Sequence, residues 1–495
     1  MSGIALPDSP VALRERATGK GRNDLEERVE VCEYEDEHVH EHVYAHAHAH
    51  AHAHVHAHDD ANLNSTAERS RAEPLLPAQL DRISQLRAQL ARIATKPPRP
   101  SVVRVPVPVP DPFFSSSSSP WLPGTPLDTP DGPLRFARLD CEEDHCHGVI
   151  PVVSALEACS RDIAVLALDP TLANIDFSRA LYIDTETTGL AGGSGTLPFL
   201  IGMAWFEGRR LCVEQLLLER PGLEVPMLRR LAERLALASA VVSFNGKSFD
   251  WPLLRTRFVL SRVAAPELPA HLDLLHCARR VYKRRLGSVR LVHLEEAVLG
   301  FTRIDDIAGE MIPLTYLGFL RGQVHGSALA PILEHNRSDL IALAALLGEI
   351  TRRFRGEEPS QDARDQLSFA GVAARAADAR ALGFASGAVE ADLRGELACE
   401  AHCLSGELCL KTLDFAAAER AFTLAVEAAC GEHTKAAPAH LALAKLYEHR
   451  LKRYADALEH ARQIGDYEDD EANRRRVARL LLKCARTSQA LPLRL

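Results

Sequence analysis

Two carboxylates one residue apart, Asp184 and Glu186, close the apolar run of LYIDTETTGL (181–190). Alternate residues of a strand share a face, so both acids project together at a strand end. Paired carboxylates repel, and burial makes the pair costly unless a cation sits between them. Two solvated acids at an ordinary strand end would have the same spelling. Two later segments offer partners. In SFNGKSFDWPLL (243–254) Asp250 falls at the start of a helix, where an acid also suits the helix dipole. In EHNRSDLIALAALL (334–347) His335 and Asp339 are four apart and share a helix face, as a plain surface pair would. Together Asp184, Glu186, Asp250 and Asp339 are the oxygen donors that two hard divalent ions need, Mg2+ or Mn2+. Two such ions stabilise the attacking and leaving oxygens of phosphodiester hydrolysis. His335 is placed to deprotonate the attacking water.

These side chains need a scaffold. Residues 180–184, 198–206 and 211–218 read as strands, the last two joined by the turn-like EGRR. Residues 224–237 have leucines at helical spacing, 240–244 (AVVSF) read as a strand, and 249–260 as a helix with Pro252 in its first turn. A short strand at 271–275 precedes a basic helix. Helices follow at 291–299 and 330–354. Hairpin-like strands followed by alternating strand and helix give a mixed sheet with helices on both faces, an α/β domain.

The 495 residues suffice for two to four domains. An apolar fraction of 46% and a charged fraction of 25% are those of a globular chain. The net charge of -9 gives no global argument for nucleic-acid binding, so a local basic patch must carry one. HLDLLHCARRVYKRRLGSVR (271–290) supplies it: Arg279, Arg280, Lys283, Arg284, Arg285 and Arg290 lie in a span whose one acid is Asp273. Tyr282 within it is a stacking or a packing residue. Eleven scattered cysteines fit a reducing compartment. There is no membrane-span-length apolar run and no signal-peptide layout, so a cytoplasmic location without membrane contact is expected.

Organisation follows from composition. Residues 1–72 read as a disordered, His-rich tail whose AHAHAHAHAHVHAH core has the chemistry to bind nickel, zinc or copper, or is a repeat expansion without a role. Residues 73–95 read as one amphipathic helix, and 96–148 as a Pro/Ser-rich linker. Within it, Cys141, His145, Cys146 and His147 make a lesser metal candidate, drawn from one arm rather than two. Residues 149–356 form the α/β domain. Residues 357–495 are alanine-rich and helical; DFAAAERAFTLAVEAA and RYADALEHARQI resemble tetratricopeptide helix pairs, at a spacing that departs from the usual period. These helices would pack on the α/β domain or on a protein partner.

DTETTGL, FNGKSFD and HNRSD, in that order, resemble the three motifs of the DEDD 3′–5′ exonuclease superfamily. With AGGSG after the first and HLDLLH between the others, the wording is similar to the YprB-like branch. The resemblance covers about residues 154–353 and implies an RNase H-like fold. It implies that Asp184 bridges two metal ions, Glu186 binds one, Asp250 acts as an outer ligand, Asp339 completes the site and His335 is the base. The histidine stands at the spacing of tyrosine-type members, so the base is less firmly carried over than the acids. Asp273 is either an auxiliary acid or a strand-end residue. On this reading Thr187, Leu190 and Asn245 meet a terminal nucleotide, with Leu190 a wedge against its base. AGGSGTLPF (191–199) is a lip, and Lys247, Arg255, Arg257 and the 279–290 cations guide phosphates. The expected function is 3′–5′ exonuclease action on single-stranded ends of DNA or RNA. The alternatives are a catalytically silent nucleic-acid-binding module and a metal-handling scaffold built on the His-rich tail.

Overall fold

The structure is a computed structural model, and it describes residues 121–189, 195–357, 362–391, 393–429 and 433–489. The expected His-rich tail and amphipathic helix lie outside the described residues. Nine strands occur among them: β1 (Thr125–Thr129), β2 (Gly132–Cys141), β3 (Cys146–His147), β4 (Ile150–Pro151), β5 (Ala180–Thr187), β6 (Pro198–Glu207), β7 (Arg210–Leu217), β8 (Ala240–Ser243) and β9 (Ala270–Asp273). Seven form one sheet in the order β1-β2-β7-β6-β5-β8-β9, while β3 and β4 pair separately. The β1 to β5 side is antiparallel, and β8 and β9 join parallel to β5. The expected mixed sheet is therefore present, with β5 at its antiparallel-to-parallel junction.

The stretch 121–148 is not linker. The β1–β2 hairpin turns through Pro130-Asp131, and Gly132, at φ 118°, opens β2 opposite Thr129. β2 then runs along β7 from Arg135 opposite Leu217 to Cys141 opposite Leu211. Arg135, 3% exposed, fixes the hairpin by donating to Glu219 (2.5 Å) and to the carbonyls of Leu122 and Gly124.

The helices of the α/β part are α1 (Ser160–Ala167), α2 (Glu224–Leu237), α3 (Asp250–Leu260), α4 (Leu274–Leu286), α5 (Leu291–Leu294), α6 (Met311–Leu320) and α7 (Ala330–Phe354). Alternation along β5 sends Tyr182 to one core, with α1, α4 and most of α7, and Leu181 and Ile183 to the other, with α2, α3 and α6. Two details differ from expectation. α5 gives way at Glu295–Leu299 to a π-helical turn, and α6 was not foreseen, because MIPLTYLGFL is apolar without a helical stripe.

The helical region follows as α8 (Ala363–Arg375), α9 (Ala381–Glu390), α10 (Gly395–Lys411), α11 (Phe415–Ala428), α12 (His433–Leu446), α13 (Tyr454–Ala461) and α14 (Asp470–Gln489). Its first two helices share the α/β core: Phe354 of α7 packs on Phe369 and Phe384 at ring separations of 5.5 and 5.3 Å. Further out, Phe422 lies against Gly406, whose missing Cβ would stand 2.6 Å from the ring. Of the described helices, none is long and apolar enough to cross a membrane.

One row across the sheet positions the site. Asp184, Gly202 and Gln215 are neighbours on β5, β6 and β7. Asn336 of α7 lies over Gly202 and donates to the Asp184 carboxylate (2.8 Å), while its own oxygen accepts from Gln215 (2.8 Å). A Cβ at position 202 would stand 2.2 Å from that oxygen. The Gly202→Ala protein should therefore lose about 1–3 kcal/mol of stability by overpacking, read from its urea midpoint. An unchanged midpoint would mean that Asn336 is free to move and that this clamp does not hold α7.

Candidate active site

β5 delivers Asp184 and Glu186 to one face at its C-terminal end, as alternation requires. Thr185, between them, turns the other way, and its hydroxyl donates to Asp250 at the start of α3 (2.5 Å). Asp250 thus reaches the strand end from the opposite core. α7 brings His335 and Asp339 on one face, one turn apart, with Asn336 between them on Asp184. The four acids and the histidine therefore meet at one place. Among the described residues, Glu186, His335 and Asp339 are the group whose donor atoms converge tightly enough for one metal ion, all lying within 4.8 Å of one another. Their side chains keep 13–16% exposure, so the site opens to solvent at this edge.

Burial and mutual repulsion push these carboxyls upward. Asp184 and Glu186 are held well above the usual carboxylate range, by burial first and by Asp339 next. Asp250 is pushed up to about 6 by burial, against the pull of the Thr185 hydroxyl. Asp339 is also raised by burial, although Arg303 and His335 oppose this. Crowded, half-buried carboxylates that resist ionisation are the donor set a hard divalent cation relieves, so the residues fit one.

Motif reading missed the groups that surround the acids. Arg303, in the irregular stretch before α6, donates to Asp339. The same guanidinium donates to buried Glu295 (2.7 Å), which the π turn aims inward, and to Asp306 (3.2 Å). Glu295 also meets His147 (2.8 Å), whose ring stacks on Phe301 at 3.9 Å. Asp306 accepts from His335 Nδ1 (2.8 Å). Arg303 also approaches Nδ1, at 3.2 Å, but the closer carboxylate can only accept and so decides where the proton sits. The Asp306 bond points Nδ1–H at Asp306, so in the neutral ring Nε2 is the acceptor. Nε2 faces Asp339 at 3.7 Å and Glu186 at 4.0 Å. A histidine oriented by a carboxylate, with its free nitrogen toward the acids, can take a proton from water or join a metal shell. No motif spacing marks Arg303 or Asp306; the available signal was an Arg close to an Asp pair, RIDD, in a segment without periodicity.

Other expected residues have different placements. Asp273 is structural: it caps α4 through the Leu275 N–H and accepts from the N–H groups of Asn245 (2.8 Å) and Lys247 (3.1 Å). Asn245 takes the left-handed conformation (φ 68°) that lets this turn close, a role Asn tolerates well. Thr187 closes the strand end by donating to the Gly189 carbonyl (3.0 Å), and Leu190 lies outside the described residues. Tyr282 is fully buried and cannot stack on a base. Arg284 and Arg285 are held by Glu400 and Asp365 of the helical region, at 2.7 and 2.8 Å, so they are clamps rather than free phosphate ligands. Arg257 is likewise paired with Glu224. Arg279, Lys283, Arg290, Lys247 and Arg255 are exposed, and Arg280 is half-buried. The lesser cluster near Cys141 is dispersed: Cys141 is buried, Cys146 is exposed, and His147 is committed to Glu295.

Residues 181–351 match the RNase_H superfamily. That span holds every acid of the site, together with Arg303, Asp306 and His335. The chain is also similar to "Uncharacterized protein YprB" of Bacillus subtilis (strain 168), 37% identical over 182 residues. The match covers 36% of this chain and 44% of that protein, so the chain spans less than half of the relative's length. An RNase H-like domain points to nucleic-acid chemistry.

The raised carboxyls have a measurable consequence. An acid whose folded pKa exceeds its unfolded value destabilises the fold once ionised, and the cost disappears as pH falls through the folded value. In chelator at about pH 8 the Asp184→Asn protein should therefore be more stable than wild type, and the advantage should shrink toward about pH 5. Mg2+ or Mn2+ should raise the wild-type melting temperature and do much less for the variant. Thermal scans at both pH values, with and without metal, read all three effects. A pH-independent difference would mean that the acids are not strained by one another.

Proposed function

We propose that this chain is a metal-dependent 3′–5′ exonuclease that hydrolyses phosphodiester bonds at single-stranded ends of DNA or RNA. The observation that carries the reading is the meeting of Asp184, Glu186, Asp250 and Asp339 beside His335 Nε2, at the end of a central strand of an RNase H-like sheet. Mg2+ or Mn2+, as two ions, would be held by these carboxylates and would supply charge stabilisation of the attacking and leaving oxygens. His335 accepts the proton of the attacking water, and Asp306 holds its ring in the required tautomer. Arg303 keeps Asp339 pointed inward and adds a fixed positive charge where the transition state gathers negative charge. Thr187 and the 195–199 segment flank the place where a terminal nucleotide would enter. The 3′–5′ polarity rests on the motif resemblance.

Arg303 also supports a second reading. A guanidinium already lies on Asp339, so the protein could meet its own charge requirement and bind nucleic acid without turnover. Purified protein incubated with end-labelled single strands and Mn2+ separates the two. Shortening from the 3′ end by wild type, with a loss of at least about 10³-fold in the Asp184→Asn protein, is expected. Binding without shortening would favour the second reading, and full activity of the variant would sink the exonuclease. Asp306→Asn should lower kcat about 10²-fold or less and leave KM in place, because it disturbs the base and not the strand contacts. An unchanged kcat would remove Asp306, and with it the oriented His335, from the mechanism.

A further inference from the structure

The cations of α4 divide into two sets. Arg284 and Arg285 point at the helical region and are consumed there by Glu400 and Asp365. Arg279, Arg280 and Lys283 line a cleft of about 640 Å³ between α4 and the helical region. Across it stands exposed Arg375, the last residue of α8. Arg375 donates to the Gly371 carbonyl in its own helix and Arg280 to the Leu166 carbonyl, so neither charge is met by a carboxylate there. Glu400 is the acid lining this cleft, and Arg284 holds it through both oxygens.

Arg280 also lines a second cavity, of about 230 Å³, with His276 and Lys247. Its two acids accept only from neutral donors, Asp273 from three backbone N–H groups and Asp169 from the N–H and hydroxyl of Thr171, so they stay anionic and offset the cations of this cavity. Lys247 lies in the turn that leads from β8 to Asp250. The unoffset cations are therefore those of the larger cleft, Arg279, Lys283 and Arg375, and Arg280 joins that cleft to the cavity of Lys247. Like charges gathered along a groove repel unless an extended polyanion joins them. A strand with one phosphate per nucleotide matches this arrangement, and a single compact anion does not.

We propose that this groove is the outer part of the substrate path, where the phosphates of a single nucleic-acid strand lie while its end is at the acids. The proposal rests on the exonuclease reading and extends it: the helical region is part of the substrate site, contributing Arg375, and Arg284 and Arg285 lock it in register. Strands long enough to reach Arg375 bind through contacts that a dinucleotide lacks.

The test uses the full chain, a fluorescent single strand of either sugar type, and chelator, so that binding is read without turnover. The Lys283→Glu, Arg375→Glu double variant should bind the long strand about tenfold or more weakly, and the slope of log affinity against log salt should fall by about 0.7 for each phosphate that is no longer neutralised. Circular dichroism checks its fold, and Lys283→Gln, Arg375→Gln gives the same direction of effect should charge reversal unfold the protein. An unchanged affinity and salt slope, with wild type trimming long strands, would overturn the groove and leave the exonuclease standing. Weakened binding by the variant, with no trimming by wild type, would keep the groove and overturn the exonuclease. Failure of wild type to bind any strand would overturn the groove.

Discussion

Four carboxylates are forced together at the end of one strand, and the structure around them answers that repulsion. A buried acid pair is stable only if something positive, or a proton, is close. Arg303 answers for Asp339, the Asn336 amide for Asp184 and the Thr185 hydroxyl for Asp250. Glu186 makes no such bond to a protein donor among the described residues, and it faces the open edge beside His335. The partial answer has a physical meaning. Full neutralisation by the chain would leave no affinity for a cation, and none at all would leave the strand end unstable.

Each partial answer is anchored in the fold. Asn336 holds Asp184 because Gly202 leaves room and Gln215 fixes the amide from the far side. Arg303 is held because the π turn buries Glu295, and Glu295 is itself held by His147 from the β3–β4 ribbon. So a residue from a two-stranded ribbon outside the main sheet helps to orient an arginine on the last acid of α7. The acids lie on regular strand and helix segments, as do Asn336 and Thr185, whereas Arg303, Asp306 and Glu295 come from turns and irregular stretches.

That division explains what could be read from sequence. β5, α2, α7 and the opposite placement of the two cores follow from periodicity, and the acids follow from strand alternation and from an i,i+4 pair. Arg303 and Asp306 sit in FTRIDDIAGE, which has no period, and nothing local says that it folds back over α7. The β1–β2 hairpin was hidden by its proline- and serine-rich approach, and its turn is itself Pro130-Asp131. The basic run of α4 was found as a run, but a charge run does not state its partners. Arg284 and Arg285 face acids 116 and 80 residues away along the chain, as only a tertiary contact can arrange.

That sorting of α4 also bears on how the two halves of the described chain work together. Had all its cations been free, the helical region would be held by apolar contacts such as Phe354–Phe369–Phe384 and by the Arg380–Asp162 pair (2.7 Å). Apolar packing fixes proximity but leaves sliding of one helix along another inexpensive. Arg285 on buried Asp365 and the two-pronged Arg284 on Glu400 add direction, because planar guanidinium–carboxylate pairs fix register as well as distance. With α8 and α10 so fixed, Arg375 keeps a constant offset from Arg279 and Lys283. The helix that follows β9 thereby ties the helical region down with Arg284 and Arg285 and leaves Arg279 and Lys283 facing the cleft without a carboxylate partner.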